Sequence, residues 1–426
     1  MNRYYTVLFA LSIVLIHPWG DSRSEIWTQP KVAVLGLIVF SNFWNLAIGF
    51  WQDDYKLSRR WTIQLGLWLL FLAAGLFSTF NSPFPDRSFF GQPEMGDGWL
   101  YWCLIAAFTL SNSLLLKQSP QLMRSQAIGL LVGGVILAMA SLPQLVNWKI
   151  DYTATSGQLL QSHILASTIF QNHQPIGFYS HRGHASVVLA MSATLALALW
   201  QQHGLKRRDF ILAFSLLVLA LLFNGTRMAI LALLVSLADR FGQKYYKQLA
   251  IAVLLSSIVV GIQTSNKQIS GLSIAKQITS DRIYLWDMTL QGIRERPGWG
   301  WGFDGFGVAF IHVKETPGLI EIVSIDDFKF TYLHRDGSFR QDLIRSSKGH
   351  NIVLDSLVSI GIIGTSIYSL LWIFYSISLY RSPYRRFAIA VIAYLMFTLT
   401  WFECAQYTHL AWWILSCADC QDLEAK

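Results

Sequence analysis

A histidine followed by an asparagine stands where a polar segment ends and an apolar one begins. His350 and Asn351 open an apolar run that continues to Gly364. A histidine side chain gains or loses a proton near neutral pH, so it can act as a general base. No metal-ligand spacing surrounds it in the sequence, and no G-x-S-x-G element supports a Ser/His/Asp triad. We therefore interpret His350 as a general base, the alternative being a structural residue at a helix start.

Three arginines stand at the starts of other predicted elements. Arg182 and Arg227 each open an apolar stretch, and Arg282 follows a long polar segment. A single arginine at a helix end usually extends toward lipid headgroups. A guanidinium also binds phosphate oxygens bidentately, so three of them on the side of His350 would suit a pyrophosphate.

The composition predicts that these residues are positioned by membrane-spanning helices. The chain has 426 residues, of which 53% are hydrophobic and 14% charged, too apolar for a soluble protein of this size. The pattern predicts an all-α polytopic membrane protein with about twelve transmembrane helices, the first an anchor and not a signal peptide. The predicted spans are 4–20, 31–50, 61–79, 99–116, 125–146, 183–202, 209–224, 227–242, 248–263, 351–380, 386–402 and 403–418.

The charge distribution predicts the orientation of these spans. The net charge is +8, but the basic residues cluster in short loops on one side, which indicates a topology signal and not nucleic-acid binding. With the N-terminus inside, His350 and the three arginines lie outside. A turn at Asn224-Gly225-Thr226 separates two spans whose far ends are both basic.

The chain divides into three predicted regions. Residues 1–263 carry the first nine spans, 264–349 form one large periplasmic loop with short helices, and 350–426 carry the last three spans and a short tail. Loops of this length are usually functional or disordered. An amphipathic helix is predicted at 281–296, ended by Pro297 and with Ile283, Trp286, Leu290 and Ile293 on its apolar stripe.

A glycine and aromatic run, 298–307, follows that helix. It contains a formal G-x-G-x-x-G from Gly300 to Gly305. A dinucleotide site needs a strand before this motif, and here a proline-ended helix precedes it. We interpret the run as a flexible aromatic turn at the lipid interface, with a backbone nest for an anion as the alternative. Glu403 is predicted either to line a cavity or to lie at the interface.

These elements in this order resemble the O-antigen ligase and polymerase superfamily of bacterial envelope enzymes. The family has a His-Asn pair, nine residues and then Gly-x-x-Gly, which is similar to His350-Asn351 followed by Gly361 and Gly364. Its R-x-x-x-L element looks like Arg227 to Leu231. Its arginine before a loop helix, with a proline and a Gly-x-Gly after it, looks like Arg282, Pro297, Gly300 and Gly302.

The resemblance implies a metal-independent membrane glycosyltransferase of the bacterial inner (cytoplasmic) membrane that uses no cofactor. Its donor would be a glycan on undecaprenyl pyrophosphate, and its acceptor a glycan, lipid A core or protein. His350 would be the base, Arg227, Arg282 and Arg182 would bind the pyrophosphate, and Asn351, Gly361 and Gly364 would support them. The shared motifs do not separate ligases from polymerases or from enzymes that glycosylate proteins.

The competing hypothesis is a transporter of a glycan-lipid or of an anion such as bicarbonate. Transporters commonly have internal repeats and charges at the membrane midplane. The sequence has no such repeat, and its unusual charges are predicted at the outer rim. The pattern therefore favours an enzyme.

Overall fold

The computed structural model describes residues 2–52, 57–146, 148, 175–202, 204–238, 282–326 and 328–420. The predicted span 248–263 and the first part of the predicted loop, 264–281, lie outside the described residues. All the residues proposed above for chemistry lie within them.

Helices dominate the described chain, as the sequence predicts. They are α1 Arg3–Val14, α2 Gln29–Gln52, α3 Arg59–Phe80, α4 Pro85–Phe90, α5 Trp99–Gln118, α6 Gln121–Ser141, α7 Arg182–Gln201, α8 Arg207–Asn224, α9 Arg227–Ala238, α10 Arg282–Glu295, α11 Gly305–Val313, α12 Ile352–Tyr380, α13 Ala388–Thr398 and α14 Thr408–Ser416.

Six segments of the described chain are long and apolar enough to cross a membrane. They comprise α3, α5, α7 and α12, together with α2 and α6 extended by short turns at one end. The helices α1 and α9 are apolar but shorter. The helices α13 and α14 have 11 and 9 residues, fewer than the roughly 20 that a span needs. The described residues thus contain fewer full spans than the twelve predicted.

The segment between α10 and α12 differs from the all-α prediction. Beside α10 and α11 it contains an antiparallel sheet of three strands in the order β1-β2-β3 (Leu319–Ile325, Lys329–His334 and Phe339–Leu343). The strand β1 has two register shifts, and most of β3 is exposed. Neither strand shows the clean alternation of apolar and polar residues that marks a strand in a sequence.

The face that α10 buries also differs from the predicted stripe. Leu285, Thr289 and Gly292 are buried, whereas Ile283 and Leu290 are exposed. Gly292 lies against α11 and α12, since a Cβ there would contact Ala309 and Val358. The prediction of a helix here is confirmed, but the predicted buried face is wrong. The small residue Gly292 allows the closest packing, so the helix is buried on the side of Gly292 and not on the apolar stripe.

The glycine run explains a break in α12. Gly361 has φ 64° and ψ −174°, a conformation essentially restricted to glycine. The break frees backbone groups of α12. The run and the preceding Pro297 satisfy them with four hydrogen bonds of 2.8–3.3 Å: Trp301 N to Val358 O, Gly302 N to Ser359 O, Ile362 N to Pro297 O, and Ile363 N to Gly298 O. Trp301 and Phe303 are buried. The prediction of a flexible interfacial turn is therefore wrong, because the run is a packed junction.

Replacing Gly361 with alanine should be strongly destabilising. A Cβ there would collide with the backbone of Gly298, and alanine does not favour this conformation. Strain and overpacking together should cost about 3 kcal/mol or more, seen as a lower unfolding midpoint in detergent. Gly298→Ala is the matched control: nothing lies within 4 Å of its added Cβ, so equal losses in both variants would contradict this explanation.

Candidate functional site

The backbone of His350 is held in an unusual conformation at the start of α12. Its φ is +57°, a value uncommon outside glycine, although asparagine, aspartate and histidine adopt it more often than other residues. The carboxylate of Asp355 accepts hydrogen bonds from Gly349 N at 2.6 Å and from Asn351 N at 3.3 Å, one on each side of the histidine. Asn351 in turn caps α12, because its Oδ1 accepts from Val353 N at 3.0 Å. These flanking bonds maintain the left-handed conformation.

Aromatic side chains orient the His350 ring. It packs edge-on against Trp401, with ring centroids 4.7 Å apart, and against Phe402 at 4.9 Å. Within the described chain, the buried Nδ1 of His350 has no hydrogen-bond partner. Asp355 uses both carboxylate oxygens for backbone N–H groups. The described residues thus give no support to a Ser/His/Asp triad, and the ring is held by packing.

Trp401 connects His350 to the first arginine. The guanidinium carbon of Arg282 lies 5.6 Å from the centroid of the Trp401 ring, a cation–π distance. Arg282 is the first residue of α10, so this helix carries its charge to the rim where α12 begins. His350 and Arg282, two of the predicted site residues, therefore both contact Trp401, which lies between α13 and α14.

Arg182 and Arg227 form the other side of this group. Arg182 is the first residue of α7, and Arg227 begins α9 just after α8 ends. The end of α8 is fastened to the start of α7, because Ser186 Oγ donates to Asn224 Oδ1 at 2.5 Å. The two guanidinium groups are close enough to repel each other electrostatically. Such a pair of like charges suits a multiply charged anion.

A second histidine links the two sides, and sequence reasoning did not select it. The His181 ring stacks on Trp401 with centroids 5.1 Å apart and an interplanar angle of 29°. Its Nδ1 accepts a hydrogen bond from Gly183 N at 2.9 Å, so the proton of the neutral ring is on Nε2. The sequence did contain one indication of its role, because His181 directly precedes the candidate residue Arg182. Trp401 carried no such signal, since it resembled the other interfacial tryptophans.

Both histidines are neutral at physiological pH. Burial lowers the pKa of His350 to about 3, and the neighbouring Arg282 and His181 lower it further. Burial also lowers the pKa of His181 to about 3, with contributions from Arg182 and Arg23. A neutral imidazole retains a lone pair that can accept a proton. A bound anion would offset the positive charges of the neighbouring arginines. This would raise the pKa of the imidazole and make it a stronger base.

A buried charge network anchors the loop that carries His350. Lys348 Nζ lies 2.6 Å from Asp97 Oδ2 and 3.1 Å from Asp304 Oδ1, and Asp304 Oδ2 lies 3.3 Å from Arg87 Nε. Burial disfavours the charged ammonium, but these two carboxylates and that of Asp355 outweigh the effect of burial and raise the pKa of Lys348. The network joins the segment before α5, the start of α11 and the His350 loop. Lys348 and Asp97 are 251 positions apart, so local sequence patterns could not pair them.

A small cavity lies beside this network. Its volume is about 40 Å³, and its lining includes Asp97, Lys348, Asp355, Tyr368 and Glu403. Glu403 accepts hydrogen bonds at 2.7 Å from the hydroxyls of Tyr368 and Tyr394, so the first of its two predicted positions is confirmed. The cavity is large enough for water but not for a sugar. The described residues contain no group of three His, Cys, Asp or Glu side chains arranged to hold a metal ion.

Removing the Lys348 ammonium should destabilise the protein. Lys348→Met leaves Asp97 and Asp304 buried without their shared partner, which typically costs about 3–5 kcal/mol. The matched control is Arg340→Ala: its pair with Asp336 lies at the surface, with both side chains nearly half exposed, and should cost at most about 1 kcal/mol. Unfolding midpoints of both variants in detergent test this. If Lys348→Met unfolds at the same midpoint as the control, the buried charge network does not stabilise the protein and this prediction is wrong.

Comparison with known proteins supports the resemblance seen in the sequence. Residues 212–369 match the family model described as O-Antigen ligase. No curated protein matches the chain. The matched segment includes Arg227, Arg282, His350, Gly361 and Gly364, whereas Arg182 lies before it. With its six candidate spans, the chain is a multi-pass membrane protein, and its residues 212–369 are similar to the O-antigen ligase family.

Proposed function

We propose that this protein transfers a glycan from undecaprenyl pyrophosphate to an acceptor hydroxyl at the periplasmic face of the bacterial inner membrane. One observation carries the proposal: the neutral imidazole of His350 and the guanidinium of Arg282 share Trp401. This pair provides a base for the acceptor and a charge for the leaving group, and it lies within the segment that matches the O-antigen ligase family.

The proposed step is a direct displacement. The acceptor oxygen attacks the anomeric carbon while neutral His350 takes the proton of that hydroxyl. The bond between the anomeric carbon and the pyrophosphate oxygen breaks, and its electron pair stays on the pyrophosphate. Arg282, Arg227 and Arg182 stabilise the growing negative charge, which is commonly the largest electrostatic contribution to such catalysis. A single displacement inverts the anomeric configuration.

The pH dependence of kcat/KM should reflect the low pKa of free His350. Protonated His350 cannot accept a proton, so activity falls only as the pH approaches about 3, well below the usual range near 6.5. Replacing Arg282 with glutamine removes one cause of the lowered pKa and should move the acid limb to higher pH. A wild-type acid limb near pH 6.5 would contradict the assignment.

A reconstituted assay tests the function itself. Purified protein is incubated with lipid-linked oligosaccharide and with glycan, lipid A core or protein acceptors, and the products are separated. A single adduct indicates a ligase, and a ladder indicates a polymerase. No product with any of these acceptors would count against glycan transfer.

One observation favours transport as the second candidate. Asp97, Lys348, Asp355 and Glu403 line a cavity among helices of the bundle, and ionisable groups inside a membrane protein often mark an ion pathway. Counterflow of labelled glycan-lipid or bicarbonate in proteoliposomes distinguishes the two. Counterflow that persists in His350→Ala, together with no transfer by the wild type, would favour the transporter.

A further inference from the structure

A second and larger cavity lies at the far end of the helix that carries His350. The helix α12 has 29 residues, so at about 1.5 Å per residue its two ends are roughly 40 Å apart. The cavity has a volume of about 870 Å³ and is bounded by the start of α6, the end of α7 and the segment after α12. Neither the His350 site nor the proposed transfer reaction involves it.

Four arginines line this cavity: Arg124, Arg381, Arg385 and Arg386. None of the described lining residues is acidic, and no ion pair found within the described ranges involves any of the four. Arg124 Nη2 donates to Gly204 O at 3.1 Å, which fixes one guanidinium against the turn after α7. The cavity therefore gathers positive charge that the described residues leave unneutralised.

Basic residues are commonly found on one side of a membrane protein, and this explains why the charge here is positive. It does not explain why four arginines meet at one cavity. Arg207 and Arg208, at the start of α8, illustrate the difference. They follow the end of α7 closely and are exposed, yet they are not among the lining residues. The four lining arginines come from two separate parts of the chain and meet at one opening.

The edge of the cavity is apolar on the side of α12. Tyr380, a lining residue, is 69% exposed, and Ile377 one turn earlier is 47% exposed. In a helix that spans a membrane, such exposed apolar residues contact lipid. The opening therefore lies where lipid chains meet headgroups, with the arginines at headgroup level.

We propose that this cavity binds a phosphate-bearing anion, supplied by the headgroup of an anionic phospholipid. The volume is within the range of ordinary ligand sites, and guanidinium groups bind phosphate oxygens bidentately. The apolar edge favours a lipid over a soluble polyphosphate, because only a lipid has acyl chains that would cover the exposed Tyr380 and Ile377. Such a lipid joins the ends of α6, α7 and α12.

Native mass spectrometry of the purified full-length protein tests this site. The probes are cardiolipin as the anionic lipid, phosphatidylethanolamine as the zwitterionic lipid, and inorganic pyrophosphate as the soluble anion. Each arginine near an anionic headgroup strengthens binding about fivefold, so Arg385→Gln with Arg386→Gln should weaken cardiolipin binding about 30-fold. Arg207→Gln with Arg208→Gln is the matched control and should retain it.

Each outcome bears on the proposal without measuring glycan transfer. Selective loss of cardiolipin in the cavity variant supports it. Equal loss in the control variant would overturn it, because a general basic surface would then explain the binding. Binding of pyrophosphate without cardiolipin would overturn the lipid source, and binding of neither would overturn the site. If the double variant unfolds, Arg124→Gln on α6 provides the same comparison at a separate part of the chain.

Discussion

Replacing His350 with asparagine should abolish glycan transfer while the protein remains folded. Asparagine cannot act as a general base, and loss of such a base typically costs about 10²- to 10⁴-fold in rate. It does tolerate a positive φ better than other residues apart from glycine, so it suits the left-handed backbone at φ +57°. The choice of asparagine thus separates the loss of the base from strain in the loop.

Two further variants strengthen this experiment. His350→Ala removes the same base but places a less suitable residue in the strained conformation, so we expect equal inactivity and somewhat lower stability. His181→Asn tests the neighbouring imidazole, which also stacks on Trp401. If His181→Asn is inactive and His350→Asn retains most of the wild-type rate, the base is His181 and our assignment is wrong.

The helices could be predicted from the sequence because their signal is local. The predicted span 99–116 corresponds to α5, and 183–202 corresponds to α7 within a residue or two. Runs of apolar residues identify such segments without knowledge of their partners. The sheet β1-β2-β3 was missed, because its burial depends on contacts with α10 and α11 and not on alternation along each strand.

The candidate site was predictable only in part, for the same reason. Residue type and position at a helix start identified His350 and Arg282, and topology placed them on one side. Their contact with Trp401 depends on the turn between α13 and α14, which no spacing in the sequence indicates. The role of Gly361 was equally hidden: a family motif marked the residue, but only the break in α12 explains why glycine is needed there.

Replacing Arg282 with lysine should lower the transfer rate by about 10²- to 10³-fold, the loss typical when one group that stabilises a developing anion is removed. The charge is retained, but a lysine ammonium cannot reproduce a planar fork that binds two phosphate oxygens. The substitution also alters the cation–π contact with Trp401, whose ring centroid lies 5.6 Å from the Arg282 guanidinium carbon. The rate is measured with lipid-linked oligosaccharide at saturating acceptor.

Arg294→Lys on the same helix is the control for this change. Arg294 is exposed in the last turn of α10, so its variant should keep the wild-type rate. Because lysine also preserves the positive charge near His350, the acid limb of the pH profile should stay in place in Arg282→Lys even as the rate falls. A full rate in Arg282→Lys would mean that a point charge suffices, and bidentate binding of the pyrophosphate would then be wrong. A loss of rate with an unchanged acid limb would assign the guanidinium to the leaving group and not to the base.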